Sequence, residues 1–554
     1  MRWQSIAAAR RVLAQEKGAV IKDWGGRLSV ALCYPNSYHV GMSNLAVHTL
    51  YRLFNQRGDV VCERVFSGLG RRERENDPPV SIESQRPLSD FDVIAFSVSY
   101  ELDYFHLVGM LRRAGIPTLA RERDADWPLV LAGGPAPSAN PAPLAPICDA
   151  LFIGEVEERL PGLLDVLTAR GVTREDILAT LATQPGLYVP ALATEGTRVT
   201  RQWLRDLDSC PTHSVVFTPH TEFGDMFLLE ISRGCGRGCR FCLAGYTYRP
   251  PRARHLDTLL QSARDGLTHR KRIGLVGAAV SDHPAVDRLA VTLRGMGAGL
   301  GASSLRADSV SEVFLRCLAE GDTRTLTLAP EVGSERLRRV INKNIPEDKV
   351  IRAVRLAAGF HFEAVKLYFM VGLPGESEED VDEITTLVRE VTSIFPGLVK
   401  VNITPFVPKP GTPFQWAAMA PAEVLTARTE RLKRALASAQ VEVTQESVPW
   451  ARVQGVLARG DQRVGEALAL VASASLGAWN AALRKAGLAE EEYLDERPLG
   501  APLPWQIVET GVETEYLVQE WRAALDGKGS PECQPGGCET CGVCRAVFVT
   551  ERER

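Results

Sequence analysis

Apolar runs and helically spaced stretches alternate along most of the chain. The early runs are LSVALCYP (28–35), VVCERVF (60–66), VIAFSVSY (93–100), PLVLAGGP (128–135) and ALFIGEVE (150–157). Those apolar on both faces predict buried parallel strands. Segments between them, such as SNLAVHTLYRLFNQRG and YFHLVGMLRRAG, carry helical spacing and stop near glycine, as helix ends do. Strand alternating with helix predicts a doubly wound parallel sheet over residues 1–183. Such sheets take ligands at the carboxyl ends of their strands. Those ends carry residues 36–42, Ser97 to Glu101, and Gly133, Gly134 and Pro135. The proline-rich stretch 133–146 follows a strand and reads as a surface loop.

Residues 184–225 have short extended pieces and little helical spacing, which marks a connector. From Met226 the alternation resumes. Strand candidates are 226–231, 272–280, 301–308, 323–331, 364–374 and 398–408, with helices such as HPAVDRLAVTLRGM and SERLRRVIN between them. Six strand–helix units predict a barrel over 226–440. In parallel α/β barrels, function sits at the C-terminal ends of the strands. Beyond it, 441–554 reads as a small α+β region with a final helix at 514–525.

Composition narrows the class. With 554 residues the chain exceeds one ordinary core. Hydrophobic and charged fractions of 45% and 24% are those of a soluble globular protein. No apolar run reaches membrane-spanning length, and the amphipathic N-terminus lacks a signal-peptide core. A net charge of −4 leaves no global nucleic-acid footprint. Of 12 cysteines, seven lie in two tight clusters, which points to metal in a reducing compartment, the cytoplasm.

The first cluster is ISRGCGRGCRFCLAGY (231–246), with Cys235, Cys239 and Cys242 spaced C-x3-C-x2-C. Three thiolates this close can hold three corners of an iron–sulfur cube. The fourth iron then stays open, by the logic of a catalytic metal with one free position. Glycines at 234, 236, 238 and 245 let backbone fold closely around it, and Phe241 supplies an aromatic wall. Zinc would instead favour paired C-x2-C units. The second cluster carries Cys533, Cys538, Cys541 and Cys544, spaced C-x4-C-x2-C-x2-C. Four such ligands complete either a zinc site or an auxiliary iron–sulfur cluster.

The triad, following an apolar strand, resembles the radical S-adenosylmethionine (SAM) enzymes. The resemblance implies a partial (β/α)6 barrel, a [4Fe–4S] cluster whose open iron SAM chelates, and reductive cleavage to a 5′-deoxyadenosyl radical. It implies SAM contacts at Phe241, Ser304, Arg306, Glu331, Ser334, Gly372 and Pro374. Arginine suits the SAM carboxylate, Glu331 the ribose hydroxyls, and the GLPGE turn (372–376) the adenine. The stretch 277–283 lacks the family's glycine-glycine-glutamate, so the holder of the SAM amine stays open. An electron donor such as flavodoxin or ferredoxin is implied too.

The N-terminal half resembles the cobalamin-binding domain found in one branch of that family. Ser97, Ser99, Gly133 and Gly134 sit where that domain lines the cofactor's tail. The branch's cobalt-ligand motif D-x-H-x-x-G is absent; around His39 the chain reads Ser37-Tyr38-His39-Val40-Gly41. The arginines at 233, 237, 240, 249, 252 and 254 compensate cluster charge, draw in an anionic substrate or form a solvated rim. The expected activity is SAM cleavage with methyl transfer to an unactivated carbon where cobalamin binds. The alternatives are RNA modification without cobalamin, by likeness to methylthiotransferases, and a non-catalytic metal-binding scaffold.

Overall fold

The computed structural model describes residues 2–69, 77–533, 538 and 540–544. After a first helix, α1 (Arg2–Leu13), comes a six-stranded sheet. Its strands are β1 (Leu28–Ser37), β2 (Val60–Gly68), β3 (Val93–Ser97), β4 (Leu129–Gly133), β5 (Ala150–Phe152) and β6 (Leu187–Tyr188). The order is β2-β1-β3-β4-β5-β6, parallel except for β6. Helices α2 (Leu45–Gln56), α3 (Asp103–Arg113) and α4 (Leu160–Leu167) cover it. Successive side chains of a strand point to opposite faces. Val30, Leu32 and Tyr34 therefore pack with Val47, Tyr51 and Phe54 of α2 and Leu163 of α4. Ala31 and Cys33 pack with Tyr104, Leu107 and Leu111 of α3. Two covered faces are why β1 reads as a continuous apolar run. Asn44 caps α2, its side chain accepting from the Ala46 N–H.

The second body is built from parallel strands in two sheets. β7 (Met226–Glu230), β8 (Arg272–Val276) and β9 (Gly299–Ala302) run in the order β9-β8-β7. β10 (Thr325–Glu331), β11 (Ala364–Val371), β12 (Leu398–Pro405) and β13 (Val441–Gln445) run in chain order. A parallel bridge between Leu305 and Leu328 joins the two sheets. All six expected strands are present, and β13 adds a seventh beyond the residues expected to form the barrel. Its VEVTQ sequence is largely solvent-facing, so the apolar run that marks a buried strand is missing. The third strand begins earlier than expected and ends at Ala302, because its GLGA run is too glycine-rich to read as apolar.

Two helices matter for the site: the short α5 (Glu335–Val340), capped by Ser334, and the longer α6 (Glu378–Ile394), capped by Ser377. The final helix, α7 (Thr514–Leu525), lays Tyr516, Leu517 and Trp521 against Tyr246, Phe414 and Trp416. No described helix is long and apolar enough to cross a membrane.

Candidate functional site

The chain leaves β7 into the cysteine loop. Gly234 has φ +79°, and a Cβ there would lie 2.3 Å from the Tyr248 carbonyl oxygen. Only glycine fits that turn, which sets the direction of Cys235. The Cys242 N–H donates to the Cys239 carbonyl at 3.1 Å. Burial pushes the Cys242 thiol up to about 12, with Cys239 and Cys235 adding to the shift. Cys235 is raised by burial and also feels Cys239. The three thiols thus share one neighbourhood. Among the described residues no three His, Cys, Asp or Glu side chains converge as around a single ion. A four-iron cube spreads its thiolates wider than one ion does.

Two ion pairs flank the triad. Arg306 grips Asp308 with both ends of its fork, at 3.0 and 2.8 Å, and its charge reaches Cys235 and Cys239. Glu331, at the end of β10, accepts from Lys343 Nζ at 2.7 Å, and Lys343 reaches Cys242. Glu331 has φ +69°, a conformation costly for a residue with a side chain and typical of functional sites. Phe241 is half-buried at the edge of the α7 cluster, and Ser304 is exposed beyond β9. The Ser334 hydroxyl is engaged as the cap of α5 and donates to Asp380. The Gly372 N–H donates to Glu376 at 2.6 Å, and Arg428 holds the same carboxylate. Burial pushes Glu376 up to about 7. Pro374 is half-buried two residues on.

The arginines around the loop are not a solvated rim. Arg233 binds Glu155, Glu157 and Glu230; Arg237 binds Asp282 and Glu532. Arg240 binds Glu520, Arg252 binds Glu155, and Arg254 binds Glu230. These five carry carboxylate partners, and none is left exposed to draw in an anion. A charged letter suggests exposure, but here each cation meets an acidic residue distant in sequence. Arg249 differs. It donates to the Gly245 carbonyl at 2.7 Å and stacks over Tyr246 and Tyr516.

Between the ends of the first sheet and the cysteine loop lies a cavity of about 350 Å³. Ser97, Gly133 and Gly134 line it on one side, and Gly234, Ala244 and Tyr248 on the other. Gly134 has φ +114°, and a Cβ there would meet the Val98 carbonyl oxygen at 2.4 Å. The walls are mostly apolar, with Leu45, Leu50 and Phe54 from α2. Thr49 also faces it; its Oγ1 is buried with no hydrogen-bond partner among the described residues. Ser99 sits apart from the wall, its hydroxyl accepting from the Asn44 amide at 3.0 Å. His39 lies elsewhere too, half-exposed and 3.2 Å from Glu222.

The C-terminal cysteines fold back onto the triad loop. The Cys533 N–H donates to the Gly236 carbonyl at 2.7 Å. Cys541 and Cys544 are buried. Burial pushes the Cys533 thiol up to about 11, and Cys541, Cys538 and Cys544 add to the shift. The intervening Gly536 and Gly537 lie outside the described residues.

Lys343, Asp308, Thr49 and Glu155 were not singled out by sequence reasoning. Only Asp308 carried a local signal, standing two residues from Arg306 at a strand end.

Comparison with known proteins shows the family. The model for "Radical SAM proteins, N-terminal" matches residues 46–190, and that for "Radical SAM superfamily" matches 229–388. An uncharacterized protein of Methanocaldococcus jannaschii is 33% identical over 450 residues, covering 79% of this chain and 90% of that one. The tRNA-2-methylthio-N(6)-dimethylallyladenosine synthase of Thermus thermophilus is 26% identical over 250 residues, 42% of this chain and 52% of the synthase. This chain thus spans about half of that enzyme. Among solved structures, the radical SAM methyltransferase TsrM of Kitasatospora setae, with cobalamin and a [4Fe-4S] cluster bound, superposes with a TM-score of 0.52. It is 14% identical and aligns over 83% of this chain and 99% of TsrM, a likeness of fold. One family model falls on each half of the chain, and a relative at one-third identity is covered nearly end to end; the chain belongs to the radical SAM superfamily of enzymes.

Proposed function

We propose that Cys235, Cys239 and Cys242 hold a [4Fe–4S] cluster, that SAM binds beside it between Arg306 and Glu331, and that the enzyme transfers a methyl group to an unactivated carbon with cobalamin bound in the cavity. The observation that carries this reading is the pair of salt bridges against the triad. Arg306–Asp308 and Lys343–Glu331 put one cation and one carboxylate on each flank of the thiols. A zwitterionic amino acid is complementary to such a frame. Arginine suits its carboxylate, and the acidic partners suit its ammonium. Asp308 and Glu331 thereby stand in for the missing glycine-glycine-glutamate.

Cluster and SAM, when bound, supply one-electron chemistry that ends in a carbon radical. The chain's own residues do the rest. Arg306 and Lys343 offset the negative charge of three thiolates and a bound carboxylate. The buried Cys239 and the apolar α7 cluster keep water from the loop. The Gly372 turn, locked by Glu376 and Arg428, presents a rigid backbone edge.

The cavity fits the tail of a cobalamin. It is apolar, walled by glycine and serine at the strand ends, roomy enough for a planar heterocycle, and holds one orphaned hydroxyl. No histidine lies in the lining, so this chain supplies no imidazole to cobalt there. Modification of RNA, the second reading, is favoured by the partial identity to tRNA-modifying relatives. The carboxylate-paired arginines of the loop leave no basic face to carry a phosphate backbone.

The test is anaerobic reconstitution with iron and sulfide, addition of cob(III)alamin, and quantitation of iron, cobalt and 5′-deoxyadenosine under strong reductant. Cluster iron with retained cobalt and SAM cleavage is expected. A C239A variant that still cleaves SAM at the wild-type yield would sink the proposal.

A further inference from the structure

We infer that Cys533, Cys538, Cys541 and Cys544 hold a second iron–sulfur cluster, joined to the triad loop through the Cys533–Gly236 hydrogen bond and placed to pass electrons to it. The site stands on its own residues; the relay rests on the cluster proposed for the triad.

Spacing separates the metals first. Cys538, Cys541 and Cys544 repeat at C-x2-C-x2-C, with the fourth ligand at a distance. Bacterial ferredoxins bind four-iron clusters with that run of three. Zinc sites favour two separate C-x2-C pairs.

Burial and charge give an independent reason for a thiolate-bound metal at this place. Cys541 is 3% and Cys544 5% exposed, and the Cys541 carbonyl accepts from the Glu513 N–H at 2.9 Å. The segment is therefore pinned where α7 begins. Arg249 is 2% exposed and meets no carboxylate among the described residues. A buried cation needs an anion or it is strongly destabilising. The groups in its field are Tyr246, Tyr516, Cys541 and Cys533. A thiolate-ligated cluster supplies the missing negative charge.

The connection to the triad is short. Cys533 donates to Gly236, whose own nitrogen is bonded to Cys235. Glu532 holds Arg237 of the same loop, and Ser530 receives a hydrogen bond from Arg240. Cys235 and Cys533 line one cleft together with Asp282 and His283. One electron enters from a low-potential donor, a reduced flavin or iron–sulfur protein, reaches the tail cluster and passes to the triad. No bond is made or broken and no proton moves.

The full-length wild type, C235A/C239A/C242A and C538A/C541A are reconstituted anaerobically. Iron, sulfide and zinc are counted, and the reduced proteins are examined by electron paramagnetic resonance. About eight irons are expected in the wild type and about four in each variant. The doubly loaded protein should show a magnetic interaction absent from both variants. Zinc in place of iron in the triad variant, or no metal there, overturns the second cluster. Two clusters without magnetic interaction overturn the relay. Iron in the triad variant but none in C538A/C541A would strike the triad reading, not this one. Should C538A/C541A fail to fold, the wild-type and triad-variant counts still decide.

Discussion

The Glu155 carboxylate grips the Arg252 guanidinium at 2.8 Å across the boundary between the two sheets. Glu155 follows β5, and Arg252 follows the cysteine loop. The same carboxylate takes Arg233 at 2.7 Å and the Leu204 N–H at 3.0 Å. One buried anion thus holds the cysteine loop against the first sheet and closes the floor of the cavity between them.

That anion makes stability acid-sensitive in a defined window. Burial pushes the Glu155 carboxyl up, but Arg252 and Arg233 outweigh it and hold it at about 2, against 4.5 unperturbed. A depressed folded value means the stabilisation is present above about pH 4.5 and is lost as pH falls towards 2. Its size is on the order of 3 kcal/mol. Urea unfolding at stepped pH should show the loss in wild type and a shallower slope in E155Q. E155Q should also be destabilised at neutral pH by about 3 kcal/mol, since buried Arg252 loses its carboxylate while Arg233 keeps Glu157 and Glu230. Identical pH slopes for the two proteins would remove Glu155 from the clamp.

Glu331 is expected to serve SAM rather than the fold alone. Its left-handed backbone is kept although it is costly, and its only described ion pair is with Lys343 beside the triad. E331Q keeps the shape and removes the charge. SAM binding should weaken about tenfold or more, the loss of one or more charge-assisted hydrogen bonds, with iron and sulfide content unchanged. Isothermal titration with SAM on the reconstituted enzyme measures it. Unaltered affinity would return Glu331 to a purely local ion pair.

Much of this was legible beforehand, for reasons that differ by residue. β1 to β5, β7, β8 and β10 to β12 bury both faces or sit in tight alternation with helices, so their apolar runs mark them, whereas the glycine-rich β9 blurs its own bounds. β13 lies at a sheet edge, half in solvent, and carries no such mark. The triad is legible because its chemistry needs close spacing in sequence. Lys343 and Thr49 are not, because each matters through a contact with a residue or cavity formed only by folding. The arginines misled for the same reason: their partners Glu155, Asp282 and Glu520 are distant along the chain.

Thr49 gives a test with opposite signs in two measurements. Its hydroxyl is buried in the cavity wall with no partner among the described residues. An unsatisfied buried hydroxyl costs about 1–3 kcal/mol. T49V keeps the shape and removes that cost, so the protein without cobalamin should gain about 1 kcal/mol of stability. Cobalamin binding should weaken about five- to tenfold if the hydroxyl bonds the inserted tail. Thermal unfolding and equilibrium dialysis read the two effects. A stability gain with undiminished cobalamin affinity would detach Thr49 from the ligand.

Arg240 joins the cysteine loop to the C-terminal part. Its side chain is fully buried. Nε donates to Glu520 of α7 at 2.9 Å, and Nη1 to the Val340 and Arg339 carbonyls at 2.8 and 3.0 Å. Nη2 donates to Ser530 at 2.8 Å. Those carbonyls end α5, where the helix dipole favours a cation. One planar fork therefore ties the cysteine loop to α5, to α7 and to the tail. R240A leaves Glu520 and the carbonyls unpaired and should cost about 3–5 kcal/mol. R240K keeps the charge but has no fork to reach all four acceptors, so it should recover less than half of that loss. Chemical unfolding gives the energies, and iron retained after gel filtration reports whether the loop still holds its cluster. Full rescue by lysine would mean that charge alone, and not the fork, holds these elements together.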